Sequence, residues 1–189
     1  MTSLPPGPSA TPSAPPPAAS QPRTRLQRIL AYRWLFALAT GVLVLDQATK
    51  AWIRAKMAYP TYGPPGQITV IEDFFNLVNV GNTGAAWSLF SGRSGSLALL
   101  AAATLVAIYA WRRQLGLRLL PVQISFGLLC GGIAGNLLDR LLRGHVVDFL
   151  DFHFGSYVFP TFNVADSGIC VGVAIYLLNS LRQSEEPSQ

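Results

Sequence analysis

The chain has 189 residues, half of them apolar and only 12% charged, against roughly a quarter charged in an ordinary soluble domain. That length suits one compact unit rather than several domains. The formal charge is +5, yet the arginines collect at the ends of apolar runs, the pattern of a membrane protein's aqueous flanks and not of a nucleic-acid groove.

Residues 1–22 are mostly Pro, Ala, Ser and Thr, without apolar periodicity. Such a segment cannot bury enough surface to offset its ordering entropy, so a disordered tail is expected. It lacks the basic stretch followed by an apolar core that a cleavable signal peptide needs. Arg23, Arg25, Arg28 and Arg33 follow, and the sequence then predicts a first membrane helix over 33–53, carrying Asp46, Gln47, Thr49 and Lys50 in its second half. Further helices are predicted over 94–111, stopping at Arg112 and Arg113, over 119–139, and over 163–181, ending at Arg182 before a short 183–189 tail. Each approaches the roughly 20 residues a spanning helix needs. Four spans in one 23–182 domain are the expectation.

Between the first two helices, Gln67 to Val70 and Phe74 to Val80 are β-prone, and Gly63, Pro64, Pro65 and Gly66 mark a turn before them. A small sheet within about 60–92 is expected on the outer membrane surface, where it could hold an extended peptide by strand addition. Cys130 and Cys170 sit inside apolar runs and read as buried thiols rather than a disulfide.

A cytoplasmic N-terminus puts eight of the 14 Lys and Arg residues inside and six outside, and the short 112–118 link between helices two and three is the strongest part of that bias. Both termini are then cytoplasmic. At ~1.5 Å per residue, Asp46 stands roughly 18 Å above the inner boundary, Asn136 roughly 27 Å and Asp166 roughly 24 Å. In a hydrocarbon core of ~30 Å, all three meet towards the outer face, with Asp139, Arg140 and Asp148 just beyond.

Ionisable residues at the edge of hydrocarbon are expensive, and their default reading is functional. Asp148, on the loop predicted after helix three, and Asp166, opening helix four, are the candidate catalytic pair: two close carboxyls sharing one proton can activate water and polarise a carbonyl. The alternative is that each pairs with an arginine, or that Asp166 serves a helix N-terminus. Asn136, Asp139 and Arg140 share the end of helix three. Asp139 reads as structural, clamping the helix end with Arg140, and Arg140 as a group that orients a substrate carbonyl or a carboxylate. Asn163 is either an N-cap or a ligand for a substrate amide. Asp46 has Lys50 one turn on as its partner, and Asn82 is by default a turn residue. His145 and His153 lack metal-ligand spacing, so no metal or other cofactor is expected. Gly127, Gly131, Gly135, Gly168 and Gly172 recur at four-residue spacing and predict close helix packing. A proton-coupled transporter relaying through Asp46 and Asp166, and a membrane adaptor docking through its outer segment, are the rival functions.

Five ordered motifs then carry a family resemblance: Asp46-Gln47-x-Thr49-Lys50, Asn82-Thr83-Gly84-Ala85-Ala86-Trp87-Ser88, Gly135-Asn136-x-x-Asp139-Arg140, Val146-Val147-Asp148-Phe149 and Phe162-Asn163-x-Ala165-Asp166-Ser167. Over about residues 33–182 the chain resembles bacterial lipoprotein signal peptidases, the type II signal peptidases. The resemblance implies an all-α membrane protein of four transmembrane helices, with a small β-rich cradle and loop on the extracytoplasmic side of the bacterial inner membrane. It implies an aspartic endopeptidase that cuts prolipoproteins just before a diacylglyceryl-modified cysteine, with Asp148 and Asp166 as the dyad. Asn82, Asn136, Arg140 and Asn163 would surround substrate and dyad, with Asp46 and Asp139 in support. The lipidated prolipoprotein, the bilayer and globomycin-type inhibitors are the implied partners, no nucleic acid is among them, and the enzyme is expected to act as a monomer. Trp87 stands where the family more often has phenylalanine.

Overall fold

The structure, a computed structural model, describes residues 30–85 and 89–185, with side chains up to residue 182. The 1–22 tail, Arg23, Arg25, Arg28, Trp87 and the end of the 183–189 tail lie outside the described residues.

Four helices and one sheet make up the described chain, in the order α1 (Arg33–Lys56), β1 (Ile68–Ile71), β2 (Phe75–Asn82), α2 (Ser94–Ala110), α3 (Leu120–Arg143), β3 (Val146–Phe154), β4 (Tyr157–Val158) and α4 (Val164–Glu185). The fold is therefore mixed, helix with a small antiparallel sheet, and not all-α. Only half of the sheet comes from the 60–92 segment. β3 and β4 follow α3, and the loop expected to hold Asp148 is the nine-residue strand β3.

α3 is the central helix, packed against α1, α4 and α2. Its glycines let the backbones approach: a Cβ added at Gly131 would stand 2.6 Å from the Ala39 carbonyl oxygen of α1, and one at Gly172 of α4 would stand 2.6 Å from that of Ser125. Small residues at such crossings are the usual means of close helix packing in membranes. α1 starts without a side-chain cap of its own. Gln123 of α3 reaches across instead, its Oε1 accepting from the Trp34 and Leu35 amides at 3.2 and 3.4 Å and its Nε2 donating to the Ala31 carbonyl at 2.8 Å. Two of the orphan amides of a helix start are satisfied in this way.

The outer faces are apolar and uncovered. Leu99, Leu100 and Val106 on α2 and Leu177, Leu178 and Leu181 on α4 are each more than half exposed. α3 and α4 are long and apolar enough to cross a bilayer, α2 is a shorter apolar helix, and α1 carries Asp46 and Lys50 within its length. Of the cysteines, Cys130 is half-buried and Cys170 is exposed. The burial expected of both fails for Cys170, which lines the cavity described below.

The sheet is antiparallel in the order β1-β2-β3-β4. It closes over one end of the helices through a core of Ile53 from α1 and Met57 just after it with Val147 and Phe149 from β3. The turn from α3 into β3 is made at Gly144, whose φ of +74° suits glycine and whose amide bonds the Arg140 carbonyl at 3.1 Å.

Candidate active site

The C-terminal ends of α1 and α3, the N-terminus of α4 and the β2–β3 ladder converge on one polar cluster. Lys50 lies at its base, fully buried. Its Nζ is 2.9 Å from Asp46 Oδ2, 2.9 Å from Asp139 Oδ2 and 2.9 Å from Asn136 Oδ1. An ammonium group has three donors, and these three acceptors use them all. Asp46 Oδ1 accepts from the Ala165 amide at 3.0 Å, which ties α1 to the start of α4.

Asp139 accepts further from the Val147 amide at 3.1 Å, which fixes the first residues of β3 to α3. The clamp predicted between Asp139 and Arg140 is made with Lys50 and Arg143 instead. The reason is helical geometry: Arg143 at i+4 lies over Asp139, whereas Arg140, next in sequence, leaves the helix in another direction. Its guanidinium donates to the Gly84 carbonyl at 2.9 Å, and its buried Nε has no partner among the described residues.

Above this base stand Asp148 and Asp166. In the ladder Asp148 faces Val80, and Asn82 lies two residues along the same face, so Asn82 Nδ2 reaches Asp148 Oδ2 at 3.0 Å. Asn82 Oδ1 meanwhile accepts from the Gly84 amide at 2.8 Å, so the turn reading describes only half of what this residue does. Asn163 holds both carboxylates. Its Nδ2 donates to Asp148 Oδ1 at 2.7 Å, and its backbone amide donates to Asp166 Oδ2 at 3.2 Å. Its Oδ1 accepts from the Asp166 amide at 3.0 Å, which makes Asn163 and Asp166 a reciprocal cap at the start of α4. Asn136 Nδ2 donates to Asp166 Oδ1 at 2.7 Å. Each of the four carboxylate oxygens thus receives one N–H.

Asp148 is 2% exposed. Burial, and next the charge of Asp166, push its carboxyl up to about 7, against the opposing pull of the Asn82 and Asn163 donors and the Lys50 charge. Both carboxylates, with Asn82, Asn136 and Arg140, line a cavity of about 580 Å³ whose other walls include Phe159, Pro160, Ile169 and Val171. The arrangement is a polar floor under a largely apolar chamber, the form that binding sites for mostly apolar ligands take.

The eight residues singled out from the sequence therefore form one connected cluster. Sequence reasoning named Gln47 on helix one and in its motif but gave it no role; its Nε2 donates to Asp46, the Gly135 carbonyl and Asp139 at 3.1–3.3 Å. Its adjacency to Asp46 was the available signal. Sequence reasoning missed the buried Asp151, paired with His153 at 2.7 Å on the far part of β3.

The family model Peptidase_A8, signal peptidase (SPase) II, matches residues 38–182. The chain belongs to the signal peptidase II family. It is 43% identical over 155 residues to a lipoprotein signal peptidase of Burkholderia vietnamiensis, covering 79% of this chain and 88% of that protein. A lipoprotein signal peptidase of Ralstonia nicotianae is 40% identical over 153 residues, covering 77% and 84%. Among solved structures, a bacterial membrane enzyme determined by the in meso method superposes with a TM-score of 0.74 at 31% identity, covering 82% of this chain and 92% of that one. A second structure of that description gives 0.66 at 33% identity, covering 78% and 92%. Family membership makes the chain a peptide-bond hydrolase of membranes, and it sets aside the transporter and adaptor readings.

Proposed function

We propose that the protein is an aspartic endopeptidase that removes the signal peptide of bacterial prolipoproteins, cutting immediately before a diacylglyceryl-modified cysteine. Asp148 and Asp166 are its catalytic pair. The observation that carries this reading is the double hold of Asn163, which bonds both carboxylates on the floor of an apolar cavity. With Asp148 raised to about 7, one proton is shared by the pair near neutrality. The two then titrate as a unit, with no private value for either.

In this mechanism the ionised carboxylate takes a proton from water as the water oxygen bonds to the scissile carbonyl carbon. The protonated partner donates to the carbonyl oxygen. As the tetrahedral intermediate collapses, the carboxyl that took the water proton gives it to the leaving nitrogen and the C–N bond breaks, while the other carboxylate takes back the proton from the former carbonyl oxygen, so the pair regains its single-proton state. Arg140, anchored to Gly84, orients the substrate backbone between the 82–85 segment and the pair. Asp46, Lys50 and Asp139 hold Asn136 in place from below.

The apolar cavity walls suit acyl chains, whose burial contributes roughly 0.8 kcal/mol per CH₂. A substrate of this kind enters sideways from lipid. The domain of 23–182 spans the inner membrane with α1 to α4 as four crossings, both termini cytoplasmic and the sheet outside, and it works as a monomer. Globomycin-type peptides would compete for the same chamber.

The test is cleavage of a diacylglyceryl-modified prolipoprotein by the purified full chain, with Asp148→Asn and Asp166→Asn alongside. Each variant is expected to fold and to lose about 10³-fold or more in rate, as enzymes do when a residue of a catalytic unit is removed. Near-normal cleavage by either variant would make that aspartate structural and sink the dyad.

A further inference from the structure

A second cavity lies at the opposite end of the bundle, where α1 begins and the α2–α3 link passes into α3. We infer that it binds the phosphate of an anionic phospholipid headgroup. The cavity is about 390 Å³ and is lined by Tyr32, Arg112, Arg113, Leu117 and Arg118 together with the link backbone. Three arginines line it and, among the described residues, no carboxylate does.

Arg112 is fixed. Its guanidinium donates to the Tyr109 carbonyl at 2.7 Å and lies 4.4 Å from the centre of the Tyr109 ring. The Arg113 and Arg118 side chains make no hydrogen bond or ion pair among the described residues and are exposed. Leu117 closes the floor, 3% exposed and packed with Val122 and Phe126 of α3. The first turn of the 24-residue helix α3 opens at the rim, so its positive dipole end adds to the arginine field.

A guanidinium meets phosphate as a two-pronged donor, which makes clustered arginines the preferred ligands for that group. The rim decides between a free anion and a lipid. Trp111, Leu119 and Leu120 beside the cavity are 58%, 56% and 51% exposed, and Trp34 is 48% exposed at the start of α1. Tryptophans with basic residues mark a membrane–water interface, and basic pockets between spanning helices there take lipid headgroups. The phosphate sits among the arginines and the acyl chains run along the apolar flank of α2 and α3. The catalytic pair is not involved: Asn136 lies sixteen residues further along α3 than Leu120, roughly 24 Å away.

The experiment is thermal unfolding of the full chain in detergent, titrated with phosphatidylglycerol or with phosphatidylcholine of the same acyl chains. Inorganic phosphate and soluble glycerophosphoglycerol form the headgroup-only arms. The expected result is a rise in Tm with phosphatidylglycerol that phosphatidylcholine and the soluble phosphates do not reproduce. Arg113→Gln/Arg118→Gln is expected to weaken the phosphatidylglycerol effect about tenfold or more in apparent affinity. Arg33→Gln/Arg182→Gln removes the same charge outside the cavity and is expected to keep the effect. If the first double variant does not fold, Arg113→Lys/Arg118→Lys replaces it, with the fork lost, the charge kept and the effect weakened. Equal response to both lipids, a full response to inorganic phosphate, or equal loss in the control variant would each overturn the site. No readout depends on cleavage, so the result stands apart from the fate of the catalytic proposal.

Discussion

At the scale of single residues, the Asp148–Asn163–Asp166 arrangement sets a pH dependence with a definite sign. Burial and the neighbouring charge of Asp166 push the Asp148 carboxyl up to about 7, against an ordinary 3.8. The folded state therefore binds more protons than the unfolded state between those values, and this group's contribution to stability declines as pH rises from about 4 to 7. On the proposed mechanism the shared proton is lost in the same range, so cleavage should fall on the alkaline side with a limb near 7. Asn82 stabilises the ionised form by donating to Oδ2. Asn82→Ala should consequently move that limb upward, and a pH–rate profile of the two proteins checks it. An unmoved or lowered limb would mean that Asp148 does not set it. At pH 8, Asp148→Asn should unfold at a temperature no lower than wild type, because relief of the buried charge offsets the lost acceptor. Differential scanning of the two proteins decides that.

At the scale of elements, the bundle is held by contacts that tolerate little change at a few points. A Cβ at Gly131 meets backbone of α1, whereas one at Gly41, on α1, has open space around it. Gly131→Ala should destabilise by about 1–3 kcal/mol, the usual range for overpacking. Gly41→Ala should be neutral or stabilise by up to about 1 kcal/mol through helix propensity. Unfolding titrations of the pair check both. Lys50 is the other such point, because it neutralises two buried carboxylates from different helices. Lys50→Met should cost about 3–5 kcal/mol, the range for leaving a buried charge without its partner. A loss below about 1 kcal/mol would show that these two ion pairs do not hold the helices together.

The helices read from the sequence coincide in place with α1 to α4, and the β-prone runs with β1 and β2, whose preceding turn residues were local signals. Sequence reading missed β3 because Val146–Phe154 carries two aspartates and a histidine, and aspartate is depleted in strands. Only the ladder to β2, which is tertiary information, makes that segment a strand. The site was legible for a different reason. Charged groups placed in apolar sequence stand out one by one, and the ends of α1 and α3 with the start of α4 bring them together. The partner choices of Arg140 and Arg143 depend on side-chain direction at the helix end, which spacing alone does not carry.

At the scale of the whole molecule, the chain has two chemically distinct ends joined by apolar helices. One end holds the sheet, the carboxylate pair and the Lys50 cluster. The other holds the arginines of the α2–α3 link and the start of α1. The proposed orientation rests on this difference, since basic links are retained on the cytoplasmic side. Gln114 in that link and Asp73 in the β1–β2 turn are both exposed, so each can carry a reporter. With Cys130 and Cys170 replaced by serine, Gln114→Cys and Asp73→Cys are introduced singly and labelled in intact cells with a thiol reagent that cannot cross the inner membrane. Asp73→Cys should react in intact cells, and Gln114→Cys only after the membrane is opened. The reverse pattern would put the carboxylate pair in the cytoplasm, where a prolipoprotein's cleavage site on the outer face could not reach it. Labelling of both positions from one side would mean that α2 does not cross. At 17 residues it extends only about 25 Å, short of a ~30 Å core, so it is the span that this experiment tests hardest. If α2 crosses, the bilayer thins beside it or flanking Trp111 and Arg112 extend its reach, at a cost of fractions of a kcal/mol per Å of mismatch. That cost is small against the apolar surface α2 exposes, which favours crossing over lying in water.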